Sequence, residues 1–82
     1  MMENYEFMIR EYGEQTIRLR ERIGTLSTEI TDAQKTRREG KAKLLSDRRQ
    51  ILYQELWEME QSIRKMRNYI QSVRERRERL KQ

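Results

Sequence analysis

The sequence predicts an all-α protein: an antiparallel two-helix coiled-coil hairpin that dimerises into a four-helix bundle. Three observations carry that expectation. The chain of 82 residues has no Pro and only three Gly, and it is rich in Glu, Arg, Gln, Leu, Ile and Met, which favour long helices. Its apolar residues recur at alternating spacings of three and four, the mark of a helical seam rather than of a disordered charged chain. That spacing changes phase once, inside REGKAKLLSD at residues 38–47.

The first helix is expected over about residues 2–39. Its seam reads Met2, Tyr5, Ile9, Tyr12, Thr16, Leu19, Ile23, Leu26, Ile30, Ala33. With Met2 as position a of a heptad, Ile9, Ile23 and Ile30 are a, Leu19 and Leu26 are d, and Thr16 alone is polar. A turn is expected over about 40–46. Gly40 follows the basic KTRRE, which suits a helix C-terminus and its negative dipole end. Ser46 and Asp47 are good N-cap residues, and Asp47 with Gln50 fits a capping box.

The second helix is expected over about 47–81. Its seam reads Leu45, Arg49, Leu52, Leu56, Met59, Ile63, Met66, Ile70, Val73, Arg77, Leu80. The two registers are out of phase, so one straight seam cannot serve both halves; a single long helix with a phase slip is the competing architecture. Equal arms favour a hairpin. A pairing in which residue numbers add to about 82 sets Ile30 against Leu52, Leu26 against Leu56, Ile23 against Met59, Leu19 against Ile63, Tyr12 against Ile70 and Met2 against Leu80. A looser pairing adding to about 89 is also compatible. Leu19, Ile23, Leu26, Leu52, Leu56, Met59 and Ile63 are the expected core.

Charge agrees with the hairpin. A parallel two-chain coil would oppose Glu55 to Glu60 and Arg76 to Lys81, both repulsive. The antiparallel arrangement offers Glu6–Arg74, Arg20–Glu60, Arg22–Glu55 and Glu29–Arg48. It also lays the acidic start, with four Glu against one Arg over residues 1–17, beside the basic end.

Several large apolar residues fall off the seam. Ile17 and Trp57 are b positions and Tyr53 is e, on a flank that also carries Gly13 and Gly24. Each helical Gly costs about 1 kcal/mol against Ala, a cost that close approach of another helix would offset. This flank is therefore the expected self-association or partner surface, with Trp57 across from Gly24. Met8 and Tyr69 are expected to meet on the opposite flank.

Composition narrows function. There is no His and no Cys, which removes the commonest general base, the commonest nucleophile and the main transition-metal ligands. No enzymatic activity, metal or cofactor is expected. Glu55, Glu58 and Gln61 form a solvated helix face rather than an acid–base pair. The acidic opening MMENYEF does not resemble a signal peptide, the longest apolar run is Phe7-Met8-Ile9, and no membrane contact is expected. A cytoplasmic location is the default.

Two functional classes remain. The first is a protein–protein interaction or assembly module, most simply a homodimer. The second is a small basic nucleic-acid binder. Formal charge is +5, and Arg64, Lys65, Arg67, Arg74, Arg76, Arg77, Arg79 and Lys81 cluster at the C-terminal end, with Tyr69 available to stack on a base. Glu75 and Glu78 interrupt that cluster, and Arg77 is expected at the seam opposite Tyr5.

Overall fold

In the computed structural model, which describes residues 2–81 and side chains from Asn4 to Lys81, two helices fold back on each other. Helix α1 spans Met2–Lys35 and α2 spans Glu39–Lys81. They pack along their lengths into a rod of 67 × 15 × 14 Å. Among the described residues there is no strand.

The expected seam is the one that is buried. Leu19, Ile23 and Leu52 form a cluster with Leu26, Leu56 and Met59 packed against it. Ile30, Leu45, Ile63, Met66 and Ile70 are also buried. Thr16, the polar seam residue, is buried at 9% exposure, and its hydroxyl donates to the Gly13 carbonyl at 2.7 Å. No buried side-chain nitrogen or oxygen among the described residues lacks a hydrogen bond.

The turn differs from expectation. The reversal occupies Thr36, Arg37 and Arg38, not 40–46, and Gly40, Ser46 and Asp47 all lie within α2. Helix α1 closes in a Schellman motif. The Arg38 N–H donates to the Ala33 carbonyl at 2.8 Å and the Arg37 N–H to the Gln34 carbonyl at 3.1 Å. Arg37, at φ 57°, takes the left-handed position that Gly usually fills.

Packing explains the choice. Placed here, the turn sets Ala33 beside Ala42 and Ile30 beside Leu45, and all four are buried at 4–7% exposure. Burying Leu45 alone is worth about 1.5–3 kcal/mol. That offsets the roughly 1–2 kcal/mol a non-glycine residue loses in the left-handed region. Ala42 occupies the a position one heptad before Arg49, so the second seam reaches back to the turn.

The same shift resets the pairing. With the reversal centred near residue 37, paired residue numbers add to about 75. Ile23 thus meets Leu52, and the pairings adding to 82 or 89 are both displaced, by one and two heptads. Helix α2, with 43 residues against 34 in α1, runs about two turns past its partner. Leu80 is consequently 86% exposed rather than seated in the seam, and the side chain of Met2, its expected partner, lies outside the described residues. Arg77 is exposed on the same overhang. Tyr5 instead meets Tyr69 in a T-shaped arrangement, with ring centroids 5.2 Å apart.

Candidate association surface

The e and b positions of both helices form one long flank, and the geometry of its polar groups is specific. The Arg20 guanidinium reaches Glu60 at 2.5 Å and Arg74 reaches Glu6 at 3.4 Å. Both pairs were legible in the sequence. The expected partners Arg22–Glu55 and Glu29–Arg48 form no ion pair, these two bridges being the ones among the described residues. Arg22, Arg48 and Glu55 instead line an open groove on the opposite flank.

Arg49, at an a position, turns out of the seam toward the e/b flank. It donates to the Ser27 hydroxyl at 3.1 Å, and its guanidinium carbon lies 6.0 Å from the Tyr53 ring centre, within cation–π range. One residue thereby ties the two helices together and steadies the aromatic ring beside them.

The apolar members of the flank are open to solvent. Ile17 is 59% exposed, Tyr53 45% and Trp57 58%. Tyr53 and Trp57 stand one turn apart on α2 and line a shallow groove with Gln50, Gln54 and Glu60. Both glycines expected on this surface are uncrowded: a Cβ built at Gly13 or Gly24 meets nothing within 4 Å. Trp57 therefore does not cover Gly24. In the observed pairing it stands level with Ile17 and Arg18 of α1, and Gly24 lies about one and a half turns nearer the reversal.

The basic residues do not form one face. Arg64 and Arg67 line a groove with Gly13, Thr16, Arg20 and Glu60, Lys65 points elsewhere by helical periodicity, and Arg74 is paired with Glu6. Arg76, Arg77, Arg79 and Lys81 are distributed around the overhanging turns of α2. Tyr69 packs T-shaped against Tyr5 and is 47% exposed.

The opposite flank carries a feature that sequence reasoning missed. Leu44 and Ile51 are exposed at 56% and 61%, seven residues apart at c positions. Ile51 forms part of the groove wall with Thr25 and Leu26. Their heptad spacing was the available signal, but neither falls on the seam or beside a small residue.

Among the described residues no three acidic groups lie together where a metal ion would bind, and no helix is long and apolar enough to cross a membrane. The fold thus defines an extended all-α helical hairpin with a glycine-marked flank that exposes Ile17, Tyr53 and Trp57. Comparison of the chain with known protein families, with curated proteins and with solved structures finds no match.

Proposed function

We propose that this chain is a non-enzymatic interaction or assembly module, and that its e/b flank is the surface it presents, first of all to a second copy of itself. The observation that carries the reading is Trp57, more than half exposed one turn from Tyr53 and level with Ile17, on the flank where Gly13 and Gly24 leave open space. Aromatic anchors dominate the energetics of protein interfaces. A helical glycine with nothing packed on it costs stability within the hairpin, so its benefit is sought in contact with another molecule.

Sedimentation equilibrium tests this. The native chain is expected to sediment as a dimer of 10.2 kDa protomers, and Trp57→Glu as a monomer with unchanged helical content. An anchor of this kind is worth at least about 30-fold in the dissociation constant. A native mass equal to that of the variant would remove the reading.

A second reading draws on the overhang, where Arg76, Arg77, Arg79 and Lys81 extend beyond α1 into solvent. Such a cationic rod end suits the phosphates of a nucleic acid. Titrating a labelled duplex at two salt concentrations separates the two readings. Micromolar binding that weakens steeply with salt favours phosphate contact.

A further inference from the structure

The association surface has a twofold pattern of its own, and this inference rests on the self-association reading above. Because paired residue numbers add to about 75, Trp57 stands at the height of residue 18 of α1, next to Ile17. Gly13 and Gly24 lie five and six residues to either side of that height. Over the stretch of α2 that α1 faces, the b row is Lys43, Gln50, Trp57, Arg64, Gln71, one residue per heptad, with Trp57 at its middle; Glu78, the next b residue, lies on the overhang. Both rows are therefore centred on the same level.

We propose that two hairpins dock face to face about a twofold axis at the level of Trp57, with each helix running antiparallel to its counterpart in the second copy. The symmetry then makes the contacts. Trp57 meets Trp57 of the second copy and Ile17 lies near Ile17. Gly13 of each α1 comes opposite Gly24 of the other, within about one residue, at two crossing points some 16 Å apart. Those are the places where two helix backbones can approach closely, and where a Cβ has nothing else to meet. An isologous interface requires a patch complementary to itself under a twofold rotation, and the spacing of Gly13, Ile17, Gly24 and Trp57 about one level meets that condition.

Charge selects this arrangement over its alternative. Inverted about Trp57, Lys43 faces Gln71 and Gln50 faces Arg64, so each cation in the b row meets an amide. The other way to lay the same faces together keeps the heights unchanged and sets α1 over α2. That arrangement matches Ile17 to Trp57 but brings Arg10 against Arg64 twice, a like-charge contact that the inverted b row avoids.

The area is sufficient. The hairpin exposes 7068 Å², whereas a compact monomer of its mass exposes about 5,300 Å². The part of the flank where both helices lie side by side is as long as α1, 34 residues or about 51 Å; with a rod width of 15 Å it offers about 770 Å², close to the roughly 800 Å² per partner of a standard stable interface.

The absence of Cys makes disulfide trapping direct. Gln50→Cys and Arg64→Cys are prepared separately, each is checked for native mass, and they are oxidised alone and mixed. The mixture is expected to yield the Gln50–Arg64 cross-linked dimer, and neither variant alone, because like positions are about 21 Å apart along the axis. Arg10→Cys mixed with Arg64→Cys is expected to remain uncross-linked. A dimer by mass that joins 10 to 64, or that joins neither pair, overturns the twofold arrangement and leaves the association surface standing. A monomer at several hundred micromolar overturns both. A further variant reads the glycine crossing. Gly24→Leu is expected to keep or raise the thermal stability of the monomeric Trp57→Glu background, but to weaken dimerisation of the native chain at least ten-fold. Unchanged dimerisation would overturn the crossing.

Discussion

At the scale of single residues, the turn is where local preference and packing disagree. Arg37 adopts φ 57°, a conformation that favours glycine, while Gly40, three residues on, sits in ordinary helical geometry with open space where its Cβ would be. The glycine is in effect misplaced relative to the turn. Arg37→Gly should therefore stabilise the protein by about 1 kcal/mol, since the left-handed penalty is removed and the Schellman hydrogen bonds need no side chain. Gly40→Ala should also stabilise it, by about 0.5–1 kcal/mol. Urea unfolding at fixed protein concentration measures both. A destabilised Gly40→Ala would place the helix stop at Gly40 after all, since alanine is penalised only where the glycine is left-handed.

At the scale of the helices, the seam is decided by periodicity and the register by its ends. The apolar spacing identified most of the buried residues of both arms, because a residue on the seam is covered wherever the other helix lies beside it. It could not identify the partner heptad, since sliding one arm by seven residues restores the same a and d geometry. Ala33 and Ala42 settle that question: each is small enough to sit beside a tight reversal, and both are buried. Alanine is a weak apolar signal, so Ala42 went unread, while Gly40 and the Ser46–Asp47 cap signal pointed to a later turn. The exposed flank was legible through Trp57, Tyr53 and Ile17, which break the seam pattern. The height of Trp57 on α1 was not, because it depends on the register. The consequence is measurable. Leu52→Ala, in the buried cluster, should cost about 2–5 kcal/mol. Leu80→Ala should change stability by less than about 0.5 kcal/mol, although both occupy d positions of one continuous heptad series. Equal losses would mean that α2 is covered to its end and that the pairing adds to 82.

At the scale of the whole molecule, a two-helix rod has one face too few. Each helix buries a single stripe against the other, and the surface left over includes Ile17, Tyr53 and Trp57 on one flank and Leu44 and Ile51 on the other. The ion pairs do not make up the deficit: Arg20–Glu60 and Arg74–Glu6 are both largely exposed, and exposed pairs contribute little. If a second copy supplies the missing cover, folding and association are linked, and stability must depend on concentration. For a dimer of this length unfolding to two free chains, the melting temperature should rise by about 4 °C for each ten-fold increase in protein, from the unfolding entropy per residue and about 1.4 kcal/mol per decade of concentration. Trp57→Glu should lower the melting temperature and abolish that slope together, because the substitution acts on the docking face and leaves the intramolecular seam intact. A melting temperature independent of concentration over a hundred-fold range would show that the single hairpin holds its fold alone, and the exposed flank would then need a different partner.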